Sequence, residues 1–359
     1  MKKISVLTGT RAEYHLMYPV LKKIVEHPDL ELDLIVTGAH LSAKYGNTYQ
    51  AIEKDGIPIS IKLPGTLHTL PWISIKLPIL KDDEEIVDMD RAIAECMLGC
   101  SKHFKDVKPD LLLVLGDRYE LFGAVIPAIN QHIPIAHIHG GETTEGAIDE
   151  AVRHSVTKCS YLHFTCCEPY RKRVIQLGES PDRVFNVGGL GVENILTQSL
   201  MTQEDLEKNL SFPLNNYSLV TFHPVTLEEG TAVQQVKEML DAFLEVEDMN
   251  FIITKANADA GGNKINEVID QYAEKYPQKF YTEFSLGMVR YLSAMKYAHL
   301  VIGNSSSGIL EAPSFRVPTI NIGDRQKGRI KCESIIDCNP NKRAILDAIS
   351  KGLSSSFRD

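Results

Sequence analysis

Ile4-Ser5-Val6-Leu7-Thr8-Gly9-Thr10-Arg11-Ala12-Glu13-Tyr14 follows directly on Met1-Lys2-Lys3, and its reading decides the fold. A short β-branched apolar run ends in a Gly-containing turn, and a helical stretch carrying Pro19 comes next. The run is too short for a signal-peptide core and reads as a first strand. The same unit recurs at Leu32–Val36, Leu111–Leu115, Ile133–Ile138 and His163–Thr165. After a break it continues at Val184–Val187, Leu219–Phe222, Phe251–Thr254, Leu300–Ile302 and Thr319–Ile322. Near-continuous apolar strands alternating with helices describe parallel sheets covered on both faces. Two such series give an α/β chain of two doubly wound, Rossmann-like domains.

The glycines of Asn186-Val187-Gly188-Gly189-Leu190-Gly191 mark the boundary, which divides the chain into 1–187 and 188–341. The helical pattern from Lys342 to Leu353, within the 342–359 tail, is expected to cross back onto the first domain. Between Lys62 and Lys81 a stretch with Gly65, Pro71, Trp72 and Pro78 interrupts the pattern and reads as an ordered loop of unassigned role.

At 359 residues the chain exceeds what one core usually supports, in keeping with two domains. A net charge of −9 disfavours a nucleic-acid surface, which needs clustered Lys and Arg, but leaves room for a small anion held by local donors. No apolar run is long enough to span a bilayer, so no membrane partner is expected. The seven cysteines, irregularly spaced and without a Cys-x-x-Cys pair, fit the cytoplasm. Cys96, Cys100 and His103 lie close enough along a helix to suggest a metal, yet they lack a second ligand pair and read as core residues. Cys166-Cys167 has no catalytic neighbour in the sequence. No metal is expected.

In open parallel sheets ligands sit beyond the carboxyl ends of the strands, facing helix N-termini. The first such turn, Thr8 to Tyr14, either projects Arg11 beside a helix start, where it suits a diphosphate, or pairs Arg11 with Glu13. It lacks the Gly-x-Gly-x-x-Gly spacing, which disfavours a nicotinamide cofactor. Gly116-Asp117-Arg118-Tyr119-Glu120 places Asp117 either as a helix cap or as a carboxylate at the mouth of the site. His137-Ile138-His139-Gly140-Gly141-Glu142, followed by Glu145, Asp149, Arg153 and His154, is the densest group. Strand alternation puts His137 and His139 on one face, and imidazoles converging with carboxylates beyond a buried strand are what proton transfer at carbon requires. Asp149 and Arg153, one helical turn apart, are alternatively a surface pair.

The second half supplies Thr221-Phe222-His223-Pro224 at a strand end and Gly303-Asn304-Ser305-Ser306-Ser307-Gly308 leading into a helix with Glu311. Hydroxyls and successive N–H groups at a helix start form an anion cradle. Gly323-Asp324-Arg325-Gln326-Lys327-Gly328-Arg329 adds three cations on a loop.

Together these residues resemble the UDP-N-acetylglucosamine 2-epimerases, in particular the hydrolysing branch that begins sialic-acid-type sugar synthesis. Thr8–Tyr14, Gly116-Asp117-Arg118, His139–Glu142, Ile148-Asp149, Arg153-His154, His223-Pro224, Gly303–Ser306 and Gly323–Gln326 match in order over most of the chain. The resemblance implies a GT-B-like pair of domains with a UDP-sugar in the cleft between them, no cofactor, and a homodimer or a dimer of dimers. It implies that Arg11, Arg118, His223, Asn257, Ser305, Ser306, Glu311 and Arg325 bind UDP. It gives catalytic roles to Asp117 and Asp149, with His223 assisting departure of the diphosphate. At the position of His139 related epimerases commonly carry a glutamate. Here the nearby carboxylate is Glu142, so either His139 takes the acid/base role or the substrate differs, as in the branch acting on UDP-N,N′-diacetylbacillosamine. A GT-B glycosyltransferase would share the fold but has no use for proton transfer at C2. A UDP-sugar sensor would not need both Asp117 and Asp149.

Overall fold

The computed structural model describes residues 1–42, 46–63, 84–225, 228, 230–256 and 261–358, with backbone alone at 84–88 and 358. Most of the 62–81 loop lies outside the described residues, as does Asn257.

The first unit, Met1–Glu142 with Asp149–Leu190, is a parallel sheet. Its elements run β1 (Lys2–Thr8), α1 (Arg11–Glu26), β2 (Leu30–Val36), α2 (Tyr49–Lys54), β3 (Ile61–Lys62) and α3 (Glu84–Val107). They continue with β4 (Leu111–Leu115), α4 (Leu121–Asn130), β5 (Ile135–Ile138), α5 (Asp149–Cys159), β6 (Leu162–Thr165), α6 (Glu168–Gln176) and β7 (Val184–Asn186). The strand order is β3-β2-β1-β4-β5-β6-β7, with every pair parallel. Alternate residues of one strand feed opposite cores. Leu112 and Val114 pack with Phe104 of α3 and Ala124 of α4, while Leu113 and Leu115 pack in the cluster of Tyr14, Met17 and Leu21 of α1. That is why these strands are apolar at every position rather than at every second one.

The second unit comprises Thr143–Ile148 and Gly191–Asp359. Its elements are α7 (Leu190–Thr197), α8 (Gln203–Leu210), β8 (Tyr217–Thr221), α9 (Ala232–Glu245), β9 (Asn250–Thr254), α10 (Gly262–Lys275), β10 (Phe280–Glu283) and α11 (Gly287–Tyr297). They end with β11 (Leu300–Gly303), α12 (Ser306–Leu310), β12 (Thr319–Ile322), β13 (Ile335–Cys338), α13 (Lys342–Leu353) and α14 (Ser355–Arg358). The order β10-β9-β8-β11-β12-β13 is again wholly parallel. Val220, Phe222, Ile253 and Ile302 face α9, α10 and α13, whereas Leu219, Ile252 and Val301 face α8 and α11.

Two readings are corrected by the structure. Helix α13 does not return to the first unit: Ile345, Ala348 and Ile349 lie in the second unit's core with Leu300 and Ile336. An amphipathic stripe fixes that a helix is buried, not against which sheet. The strand at Val184 pairs with β6 in the first sheet, on the first-domain side of the expected boundary. The contact division falls between Leu190 and Gly191, and the short segment Thr143–Ile148 belongs with the second unit. Among the described residues no helix is long and apolar enough to cross a membrane.

Both sheets reverse direction of growth beside their first strand, so the switch points lie between β1 and β4 and between β8 and β11. In sheets of this kind that is where ligands bind. At the second switch point Gly303 takes φ +133, and a Cβ there would stand 2.0 Å from the Thr221 carbonyl oxygen. Gly303→Ala is therefore expected to destabilise the protein by on the order of 3 kcal/mol or to prevent folding, measured by urea unfolding against wild type.

Candidate active site

At the carboxyl edge of the first sheet, Thr10 caps α1 through a capping box in which the Glu13 carboxylate accepts the amides of Gly9 and Thr10 at 3.0 and 2.9 Å. Burial, then the charge of Glu120, pushes the Glu13 carboxyl up to about 7, against the opposing influence of Arg118. Arg11 occupies the first helical position and is half-buried. Across the switch point Arg118 donates to both oxygens of the buried Glu120, at 3.0 and 3.2 Å. This forked pair fixes the plane of the guanidinium.

Asp117, on the same turn, accepts from Arg153 of α5. Arg153 is fully buried; its Nη1 donates to the His139 carbonyl at 2.9 Å and lies 3.8 Å from Glu142 Oε2. Strand β5 ends at Ile138, and His139 adopts a left-handed backbone at φ +63, so the alternation that paired it with His137 does not extend to it. His137 is a structural pin. Its Nε2–H donates to the Gly116 carbonyl at 2.7 Å and its Nδ1 accepts from Thr157 at 3.1 Å. Burial pushes it down to about 3, which keeps it neutral. The His139 imidazole receives the Leu190 amide on Nε2 at 3.5 Å, which leaves Nδ1 as the protonated nitrogen, 3.3 Å from Glu142 Oε1. Glu142 also accepts the Cys166 thiol at 3.3 Å, so that cysteine meets a carboxylate that the sequence did not bring to it. Burial and the Glu142 charge hold the thiol well above its usual range. Asp149 opens α5, one turn before Arg153, and is half-buried; Arg153 pairs with Asp117 and faces Glu142.

At the second switch point a buried amide organises the turn. Asn304 Oδ1 accepts the His223 amide at 2.7 Å, and its Nδ2 donates to the His223 carbonyl at 2.8 Å. The Asn304 carbonyl in turn accepts from Arg325 at 3.2 Å and from the buried Gln326 at 2.9 Å. Ser305 caps α12, which begins at Ser306. Hydroxyls continue the line: Ser307 donates to Ser305 at 3.1 Å and meets Tyr291 at 2.6 Å, and Tyr291 meets Thr221 at 3.4 Å. Glu311 ends α12, its carboxyl pushed up to about 7 by burial, and a Cβ on Gly191 would come within 2.8 Å of it. Thr143–Ile148 is fastened to the loop after β12. Thr143 donates to the Gly328 carbonyl at 2.5 Å, and the Glu145 amide to the Lys327 carbonyl at 3.1 Å.

The structure thus gathers Asp117, His139 and Glu142 on Arg153 in the first unit, and His223 and Arg325 on Asn304 in the second, with Ser305 and Ser306 in the turn that follows Asn304. Sequence reasoning gave no role to Glu120, Asn304 or Gln326, and placed Arg153 in the densest group with a surface pair to Asp149 as the alternative. Only the place of Asn304 at a strand end, between Gly303 and Ser305, hinted at its clamp. No group of three or more His, Cys, Asp or Glu among the described residues is arranged to hold a metal ion. Cys96 and Cys100 instead contact each other at 3.9 Å, and His103 bonds Asp33 at 2.9 Å.

A doubly wound pair of units that gathers carboxylates and an imidazole at the carboxyl edge of one sheet, and an amide-clamped serine turn at the switch point of the other, has the make-up of a ligand-binding α/β protein with groups for proton transfer. The family model for UDP-N-acetylglucosamine 2-epimerase matches residues 22–359, and the chain belongs to that family. The chain is 41% identical to the GDP/UDP-N,N′-diacetylbacillosamine 2-epimerase (hydrolyzing) of Campylobacter jejuni, over 95% of this chain and 85% of that protein. It is 40% identical to a polysialic acid biosynthesis protein of Escherichia coli, over 99% of this chain and 88% of that one. The crystal structure of UDP-GlcNAc 2-epimerase from Neisseria meningitidis bound to UDP-GlcNAc shares the fold, with a TM-score of 0.76 at 17% identity over 100% of this chain and 93% of that one.

The Glu13 carboxyl has a checkable consequence. Its folded value, about 7, lies above the ordinary 4.5, so the native state holds an extra proton between those limits and stability falls as pH rises through them. Glu13→Gln keeps the cap and removes the titration. Urea unfolding at pH 5 and pH 8 is expected to show the variant gaining on the order of 2 kcal/mol over wild type at the higher pH, with little difference at the lower.

Proposed function

We propose that the chain is a hydrolysing 2-epimerase that converts UDP-N-acetylglucosamine and water to N-acetylmannosamine and UDP. The observation that carries the reading is the gathering of Asp117, His139 and Glu142 on one buried cation at the carboxyl edge of the first sheet, in a member of this family.

In the first step a base removes the C2 proton, the C1–O bond to UDP breaks, and 2-acetamidoglucal forms. In the second, water adds its oxygen to C1 while a proton returns to C2 on the opposite face. Proton transfer at carbon needs a base and an acid held on opposite sides of the ring, and Asp117, Asp149 and the His139–Glu142 pair supply the groups. The leaving diphosphate gathers charge, which Arg11, Arg118, Arg325, His223 and the Ser305-Ser306 turn are suited to receive. Glu311 suits the ribose hydroxyls, and Asn257 completes the nucleotide contacts. The reading carries with it a sialic-acid-type pathway, a cytoplasmic setting and a homodimer or dimer of dimers.

A second substrate is favoured by one observation: the 41% identical relative is named for UDP-N,N′-diacetylbacillosamine. Proton NMR in heavy water without an acceptor separates the readings. Free N-acetylmannosamine deuterated at C2, appearing with UDP, is expected; turnover of the diacetylbacillosamine nucleotide alone moves the assignment to that sugar, and silence with both sinks the epimerase. Asp117→Asn and Asp149→Asn are each expected to lower kcat by about 100-fold or more while UDP binding measured by calorimetry stays within a few-fold.

A further inference from the structure

We propose that Arg153 is the positioning residue of the active site, one guanidinium that sets the orientation of Asp117, His139 and Glu142 together without touching substrate. The inference rests on the epimerase reading above. Arg153 is 1% exposed and is the largest fully buried side chain among the described residues. A guanidinium taken out of water costs several kcal/mol unless surrounding groups answer it. A surface pair with Asp149 would have avoided that cost, so the burial itself asks for a reason.

The reason lies in what the fork reaches. Nη2 donates to Asp117 at the end of β4, while Nη1 donates to the His139 carbonyl at 2.9 Å and faces Glu142 at 3.8 Å. Two strand ends and one loop are tied by two nitrogens of a single planar group, a geometry that a lysine ammonium does not reproduce. The side chain of Asp117 is 21% exposed while that of Arg153 is 2%, so the cation stands behind the carboxylate on the side away from solvent.

A second, independent observation points the same way. His139 carries φ +63, a conformation disfavoured for any residue with a Cβ. Such backbone persists where its surroundings over-determine it. Here the His139 amide donates to Phe164 O at 2.8 Å, and its carbonyl is held by Arg153. On the other side of Glu142, Arg173 of α6 donates to the Gly141 carbonyl at 2.5 Å. The turn is thus pinned at its backbone from two helices, and Arg153 alone of the two also answers the carboxylates.

Glu142 is faced by His139 Nδ1 at 3.3 Å from its own loop, by the Cys166 thiol at 3.3 Å from the turn after β6, and by Arg153 from α5. Asp117 shares the same guanidinium from β4. Removing the cation leaves these groups together without their common counter-charge, which favours protonation of the carboxylate pair. The expected signature is kinetic rather than one of affinity.

Arg153→Met and Arg153→Lys are compared with wild type for kcat and KM between pH 5.5 and 9, on whichever UDP-sugar the wild type turns over. UDP binding by calorimetry and thermal melting report the fold. Arg153→Met is expected to lose about 100-fold in kcat with KM and UDP affinity within about threefold, and to move the acidic limb of kcat upward by about one pH unit. Arg153→Lys is expected to recover about tenfold of kcat and half of the displacement, since it restores the charge and not the fork. A folded, UDP-binding variant with wild-type kcat and an unmoved limb overturns the proposal. So does loss of folding in both variants, which would make Arg153 structural only. Wild-type protein inactive on both sugars would instead sink the epimerase reading beneath it.

Discussion

Every described strand pair in both sheets is parallel, and the rest of the molecule follows from that constraint. Parallel pairing sends all carboxyl ends to one edge, and each crossover begins there with a turn whose amides lack helical partners. The order in each sheet then singles out two adjacent strands whose following helices diverge, β1 with β4 and β8 with β11. The turns and helix starts after these four strands carry Arg11, Asp117, Arg118, His223, Ser305 and Ser306. Their chemistry is grafted onto positions that the topology had already cleared.

The two switch points solve the burial of polar groups in different ways. The first uses charge: Arg118 against Glu120, and Arg153 against Asp117 and Glu142. The second is built on amides and hydroxyls, with Arg325 donating to the Asn304 carbonyl. The Asn304 amide closes a ring with both backbone groups of His223, and a hydroxyl line runs from Thr254 through Thr221 and Tyr291 to Ser307. A neutral network keeps its geometry across pH, whereas a shared cation makes geometry and protonation interdependent.

The legible parts of the fold were those with one dominant cause. Central strands such as Leu111–Leu115 and Leu300–Gly303 are buried on both faces, so composition alone marks them. Edge strands escape that rule: Phe280–Glu283 and Ile335–Cys338 are mostly half-exposed, and Ile61–Lys62 is two residues long. Position relative to a strand end located Asp117, His139, His223 and the serine turn. It did not locate Glu120, Gln326 or the role of Arg153, because their partners are brought by other elements, and no spacing along the chain encodes a contact between α5 and the turn after β4. The fate of α13 was hidden for the same reason, since its apolar stripe would fit either sheet.

Thr143–Ile148 folds with the second unit although chain on both sides of it belongs to the first. The polypeptide therefore passes from one unit to the other after Glu142, again before Asp149 and a third time after Leu190. No single cut yields two whole halves. A fragment ending at Leu190 would carry a hexapeptide whose threonine hydroxyl and glutamate amide had left their carbonyls on Gly328 and Lys327 behind. Recombination between relatives meets the same obstacle: a crossover placed at the interdomain glycines would pair this hexapeptide with a foreign loop. The two halves are thus constrained to drift as one inherited piece, bound by a stretch too short to be recognised as a domain at all.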